Sequence, residues 1–481
     1  MRSLRFILPT VYCLLFTVPL FSQGLAGVTI CIDPGHGGFG SNDRHVVPDP
    51  GLDFWESESN FQKALWLKPL LEARGATVLL TRNTNYYPDD LLEPSTSARR
   101  DFANANNVDW FHSIHSNATG GTNTSTNYTL MLVREKRSAT NPAADTGFGL
   151  GVPEQQASWD LSLILAQRIK TFNRTNSTST WLDWSFYGGT SGGKSLGVLR
   201  GLLMPGELSE GSFPDYYPET RRLLNNSYRK MEAYALLQSF QQYFAAPSDG
   251  VGIVAGILTD SETSKPKNNI AVRLVTGNRV YVGDAYNNGF FMFDSVSPGT
   301  HWIRFENAGY QLDSVQVAVS ASTPTFADRT IYGFVAPYIV SNSPRSTDTL
   351  FPVTSVLGVT FSRTMDTASV RNAFSITPSV LGTFNWLGLN KTLLFDPAVP
   401  LASGTTYVWE IDTTALSSGG VPLDAANLGV ANTFVVQFRT AGTTGVENEL
   451  PTVPTAFGLR QNFPNPFNPA TTIEYDVPAQ T

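Results

Sequence analysis

The stretch Thr29-Ile30-Cys31-Ile32-Asp33-Pro34-Gly35-His36-Gly37-Gly38 constrains this chain more than any other. An apolar run ends in an acid, and Pro34-Gly35 stops it abruptly. Gly35, Gly37 and Gly38 allow a close approach of backbone or ligand around the histidine. The pattern predicts a buried strand with His36 at its C-terminal end, where open α/β sheets place their ligand sites.

The surrounding texture agrees. From Val28 to about Ala245, strand and helix signals alternate: strands over Val28–Ile32, Thr77–Thr81, Asp109–His115, Thr129–Val133, Gly197–Arg200 and Glu207–Glu210. Helices are expected over Ser59–Arg74, kinked at Pro69, and over Thr96–Asn106, Ser158–Phe172 and a long closing Asp215–Phe244. This predicts an α/β domain, a mixed sheet flanked by helices. Ser138–Gln156 reads as a long loop. After Pro247-Ser248-Asp249-Gly250 the chain turns to short β runs and turn residues, predicting two all-β sandwiches.

With 481 residues the chain is multidomain. The expected division is a signal peptide at 1–26, a catalytic domain at 27–245, sandwiches at 251–332 and 336–440, a linker at 441–456 and a tail at 457–481. Arg2 and Arg5, the apolar run Phe6–Phe21 and the small residues Ser22–Ala26 have the order of a cleavable leader. No other stretch is long enough to span a bilayer, so the mature chain is expected to be exported without a transmembrane anchor. The mild net charge of −7 gives no support for nucleic-acid binding. Of the two cysteines, Cys13 falls in the leader and Cys31 reads as core packing.

Five histidines occur: His36, His45, His112, His115 and His301. Ser113-Ile114-His115-Ser116-Asn117-Ala118 repeats the first pattern, an apolar strand ending in histidine. Two strand-end histidines on one sheet edge can face a common ion, and catalytic zinc takes three His or carboxylate ligands, leaving a position for water. Glu56 or Glu58, just before the first helix, supplies a carboxylate, and Glu210 stands before a glycine at the end of a further strand. His112 alternates away from His115 and reads as a core residue; Glu207 should likewise face away from Glu210. His45 reads as an incidental loop histidine and His301 as an ordinary surface or core one.

These residues, with Leu80-Thr81-Arg82, Arg99, Ala103-Asn104 and Met204-Pro205, resemble the zinc N-acetylmuramoyl-L-alanine amidases of the amidase-3 type over about 220 residues. The resemblance implies zinc held by His36, Glu56 and His115, with Glu210 as the catalytic acid–base; the spacing to Asn60 favours Glu56 over Glu58. It implies a peptidoglycan glycan–peptide substrate cut between N-acetylmuramic acid and L-alanine. A zinc peptidase on another peptide and a non-catalytic wall-binding or adhesion protein are the competing readings. His112 and Glu207 stand where the family has aliphatic residues, and the family's arginine–glycine pair is not evident around Tyr187-Gly188-Gly189 and Gly192-Gly193-Lys194.

Three further resemblances concern the rest of the chain. Gly256-Ile257-Leu258-Thr259-Asp260, Asn288-Gly289-Phe290-Phe291 and Ser297-Pro298-Gly299 resemble carboxypeptidase-regulatory-like sandwiches. Val359-Thr360-Phe361-Ser362 and Leu401-Ala402-Ser403-Gly404-Thr405-Thr406-Tyr407 resemble bacterial Ig-like domains. Leu459-Arg460-Gln461-Asn462-Phe463-Pro464-Asn465-Pro466-Phe467-Asn468-Pro469 resembles the start of a type IX sorting domain. That resemblance implies the type IX secretion machinery as a partner and the cell surface or medium as a destination.

Overall fold

The apolar strand before Asp33 is an interior strand of a six-stranded sheet, paired on both sides, in keeping with its unbroken hydrophobicity. A computed structural model describes residues 24–40, 43–135, 153–188, 195–424, 433–442, 457–463 and 470–476. Residues 1–23 of the expected leader, most of the 138–156 loop, Gly192-Gly193-Lys194, most of the linker and the Asn465–Pro469 part of the tail lie outside the described residues, whereas Leu25, near the end of the expected leader, is fully buried. No described helix is long and apolar enough to cross a membrane.

The first strands and helices are β1 (Thr29–Pro34), β2 (His45–Asp49), β3 (Leu52–Trp55), α1 (Glu56–Glu72), β4 (Thr77–Leu80), α2 (Thr96–Ala105), β5 (Trp110–His115) and β6 (Thr129–Val133). They are followed by α3 (Pro153–Asn173), β7 (Thr178–Leu182), α4 (Asp183–Phe186), β8 (Gly206–Glu210), α5 (Tyr217–Leu223) and α6 (Asn226–Tyr243). The sheet order is β4-β1-β5-β8-β6-β7. β4, β1, β5 and β8 are parallel, and β6 runs against β8. A mixed sheet is therefore present, with β1, β5 and β8 ending side by side at one edge.

Alternation along the strands supplies two cores. Ile30, Ile32, Ile114 and Met131 pack with Leu67 and Leu71 of α1, Leu165 and Ile169 of α3, and Leu236 and Phe240 of α6. Cys31, Phe111, Leu130 and Leu208 face the other way, against Ala103 of α2 and Leu199 and Leu202. Each fully buried aliphatic or aromatic side chain contributes about 1.5–3 kcal/mol. Cys31 is fully buried, and burial pushes its thiol up beyond any ordinary titration, in keeping with a packing role.

Several elements depart from the sequence expectation. α1 begins at Glu56 rather than Ser59 and ends at Glu72 rather than Arg74, with Pro69 inside it as expected. The expected strand Gly197–Arg200 is a turn. The expected helix Asp215–Phe244 is broken in two at Leu224-Asn225, where the Asn225 side chain accepts from Tyr228 N–H at 3.0 Å and starts α6. Asn is a favoured N-cap because its side-chain oxygen satisfies one of the first-turn donors. The β2–β3 hairpin was not expected, although Pro50-Gly51 is a turn signal and Gly51 has φ +82°.

The chain divides into two compact units. The first takes in the chain as far as Gly256, together with Gly283–His301 and Gln316–Ala327. In it, Ile253, Ala255, Phe290 and Met292 join the α1–α3–α6 core. The second comprises Ile257–Val282, Trp302–Val315 and Asp328 onwards. Its larger core unites Leu357, Val359 and Phe361 from one antiparallel sheet with Tyr407, Trp409 and Phe438 from another, a β-sandwich. His301 is buried and shares a 2.8 Å hydrogen bond with the Ser297 carbonyl.

Candidate active site

β1 delivers His36 through a turn that is held from both sides. Gly35 N–H donates to the Ile114 carbonyl at 2.9 Å, extending the ladder one residue past Pro34. His36 then takes φ +57°, a left-handed conformation uncommon outside glycine. Two buried arginines clamp the turn. Arg99 donates to the Pro34 and His36 carbonyls, both at 2.8 Å, and Arg82 to the Pro34 and Gly35 carbonyls at 2.9 and 3.2 Å.

Asp33 is the counter-charge. Its carboxylate accepts from Arg99 at 2.9 Å, Thr81 at 2.5 Å and Ser113 at 2.7 Å. Burial alone would raise its carboxyl, but the Arg99 charge and these hydrogen bonds hold it below the usual range. Sequence patterning flagged Thr81-Arg82 and Arg99 without revealing this role, because their partners come from separate segments.

β5 ends in His115, and its ring lies directly over Gly35. A Cβ on Gly35 would stand 2.1 Å from His115 Nε2, so only glycine fits. Glu56, the first residue of α1, reaches between the histidines. Its Oε1 lies 3.5 Å from His36 Nε2 and 3.4 Å from His115 Nδ1. The same oxygen accepts from Ser116 N–H at 2.9 Å and Asn60 Nδ2 at 3.2 Å. Burial would raise the Glu56 carboxyl, but the His36 charge and the bonds to both histidines hold it well below the ordinary range. Burial keeps His115 lowered, hence neutral and able to donate a lone pair. Glu58 points elsewhere and pairs with Arg229 at 3.2 Å.

His36, Glu56 and His115 bring one ligand atom each within 4.8 Å of one another, the one such cluster among the described residues. Two ligands about 2.0–2.1 Å from a tetrahedral ion lie about 3.3–3.4 Å apart, which matches the spacings from Glu56 Oε1 to both imidazoles. Two imidazoles and a carboxylate also suit zinc chemically. The residues therefore fit the metal.

Glu210 ends β8 directly opposite His115 in the parallel register. Its Oε2 is shielded from solvent and has no hydrogen-bond partner among the described residues. Burial first, and then the Glu56 charge, push its carboxyl up to about 8 against the pull of His36, Lys63 and Arg44. All four residues line one cleft of ≈ 780 Å³, shared with Asn117, Tyr128 and Tyr187.

The remaining candidates fall outside this cluster. Glu207 is fully buried on the opposite face of β8 and accepts from Trp110 Nε1 at 2.9 Å. His112 Nδ1 lies 2.8 Å from Glu207 and its ring meets Phe240 of α6 edge-on. Both belong to a polar network inside the helical core. His45 lines the cleft rim, stacks on Trp55 with centroids 4.2 Å apart, and lies 2.9 Å from Asp53.

Comparison with known proteins locates two families. Residues 30–242 match the N-acetylmuramoyl-L-alanine amidase family model, and residues 335–440 match a bacterial Ig-like domain. The chain thus carries an amidase domain of that family and a bacterial Ig-like domain. Over 220 residues, 46% of this chain, it is 27% identical to an uncharacterized cell wall amidase of Bacillus anthracis; the match spans only 36% of that relative. Among solved structures, an N-acetylmuramoyl-L-alanine amidase from Clostridium difficile 630 is 21% identical, covering 46% of this chain and 98% of its own, with a TM-score of 0.34. The catalytic domain of CwlV from Bacillus (Paenibacillus) polymyxa is 16% identical, covering 46% and 99%, also with a TM-score of 0.34.

Proposed function

We propose that the amidase domain hydrolyses the bond between the lactyl carbonyl of N-acetylmuramic acid and the L-alanine nitrogen of peptidoglycan, with zinc as cofactor. The carrying observation is the convergence of His36, Glu56 and His115 in one cleft with Glu210, whose Oε2 has no hydrogen-bond partner among the described residues. The family match of residues 30–242 supplies the substrate class.

His36, Glu56 and His115 would hold the ion, and their summed charge leaves it a net positive centre. Bound there, zinc would supply Lewis acidity that polarises the scissile carbonyl and eases deprotonation of water. Ser116 N–H and Asn60 keep the Glu56 carboxylate oriented. Glu210 Oε2 takes the proton of the attacking water and passes it to the alanine nitrogen as the C–N bond breaks. The products are a lactyl carboxylate and a free amine. Such acid–base help is typically worth about 10²–10⁴-fold. A shielded carboxyl held near neutrality is suited to both halves of that transfer.

The leader-like start and the sorting-like tail support an exported protein directed across the outer membrane by type IX secretion, and the 251–332 segment is read as a carboxypeptidase-regulatory-like module. The deciding experiment digests purified sacculi and sequences the released peptides. Peptides with a new N-terminal L-alanine, lost on chelation and restored by zinc, are expected. Protein that binds no zinc and leaves sacculi intact would overturn the reading in favour of a non-catalytic wall binder. Cleavage at a different peptide bond would identify a zinc peptidase instead.

A further inference from the structure

The cleft contains a cation that the chemistry above does not use. Arg44 lines it together with His36, Glu56 and Glu210 and is the one arginine or lysine that does so among the described residues. The other arginines of this region are committed to protein partners. Arg82 and Arg99 clamp the β1 turn, Arg221 pairs with Asp49 at 2.6 Å, and Arg229 pairs with Glu58. The Arg44 guanidinium meets no acceptor among the described residues.

Its backbone, in contrast, is fixed. The Arg44 carbonyl accepts from Glu56 N–H at 3.0 Å, so the residue is bonded to the first turn of α1 beside a candidate metal ligand. Asp43 next to it accepts from Ser57 N–H at 3.0 Å, and His45 pairs with Trp55 in the hairpin. Arg44, a half-buried residue at the foot of the β2–β3 hairpin, thus lines the cleft from a backbone tied to the first turn of α1. Much of the neighbouring lining is neutral and polar, with Asn117, Thr119, Thr126 and Tyr128. The positive charge also reaches Glu210, whose carboxyl it pulls downward.

We propose that Arg44 recognises a carboxylate of the stem peptide beside the scissile amide and thereby sets specificity for acidic over amidated stems. This rests on the amidase reading above. The planar fork of a guanidinium matches a carboxylate bidentately, whereas a carboxamide offers one acceptor and no charge. A charge-assisted pair of this kind supports a discrimination of about 10–100-fold.

The test uses the full chain and two muropeptides that differ only in a free carboxylate or a carboxamide on the residue after L-alanine. Wild type is expected to favour the carboxylate form in kcat/KM by about 10–100-fold, and Arg44→Gln to bring that ratio to about 1. Arg44→Lys, which keeps the charge without the fork, is expected to retain part of it. Zinc content measured alongside reports that the site is intact in each variant. A wild-type ratio near 1, or a ratio unchanged in Arg44→Gln, would overturn the assignment while leaving the amidase reading standing. Hydrolysis of neither muropeptide by wild type would overturn the amidase reading itself, and the assignment with it.

Discussion

Gly35→Ala is expected to weaken zinc binding more than it weakens the fold. The new Cβ would sit 2.1 Å from His115 Nε2, 2.2 Å from Cε1 and 2.5 Å from Cδ2. Ordinary contact is about 3.5 Å or more, so something must retreat by more than about 1 Å. The backbone at residue 35 is poorly able to do so. Its N–H is bonded to Ile114, its carbonyl to Arg82, and the carbonyls on either side to Arg99. The imidazole of His115 must therefore swing away, carrying Nδ1 from its 3.4 Å position against Glu56. Overpacking of this kind costs about 1–3 kcal/mol, equivalent to about 5- to 150-fold in an equilibrium constant. Because the ring is the part that yields, the cost falls on metal affinity. Competition with a chromogenic chelator reads that affinity, and circular dichroism reads the fold. Gly37→Ala serves as the control, since its Cβ would press on Glu93 and Tyr87 rather than on a candidate ligand. Unchanged zinc affinity in Gly35→Ala would refute the close-approach argument.

Two further perturbations probe the buried charges under the site. Lys63 and Glu232 form a fully buried ion pair at 2.9 Å, and Lys63 also reaches Ser116 Oγ at 3.4 Å. Lys63→Met strands the Glu232 charge and should cost about 3–5 kcal/mol in urea unfolding, with much of that recovered in Lys63→Met/Glu232→Leu; a neutral single variant would contradict this. Glu219, a buried residue of the first turn of α5, has its carboxyl pushed up to about 7 by burial, from an ordinary 4.5, against the Arg222 charge. Its contribution to stability is fully present below about pH 4.5 and lost as pH rises through about 7, an effect of order 3 kcal/mol. Glu219→Gln should flatten that part of the stability–pH curve, and an unaltered slope would exclude Glu219 as its source.

The features that were legible in the sequence are those with local causes. An apolar run stopped by Pro34-Gly35 announces a strand end, and strand-end reasoning likewise places His115 after an apolar run and Glu210 before a glycine; that their strands are neighbours comes from the structure. Alternation correctly turned His112 and Glu207 into the core. What escaped depends on tertiary partners. Glu56 starts α1 without a side-chain cap, its carboxylate being held by Ser116 and Asn60, so the helix was expected three residues late. α6 is buried on nearly every face and shows no amphipathic break from α5; Asn225 was the available signal. The β2–β3 hairpin combines a Pro50-Gly51 turn with an irregular ladder, and missing it hid the setting of Arg44 and Trp55. Asp33 looked like a strand terminator, because nothing local shows that Thr81, Arg99 and Ser113 converge on its carboxylate.

The proposed site divides its labour between three metal ligands, His36, Glu56 and His115, and one proton carrier, Glu210. Glu210→Gln keeps the size of the side chain and removes its basicity. Zinc stoichiometry and release of L-alanine-terminated peptides, measured on the same preparation, test that division directly. The expected result is one zinc retained per chain with peptide release down by about 10²–10⁴-fold. Loss of zinc from Glu210→Gln, or activity undiminished with zinc in place, would contradict it.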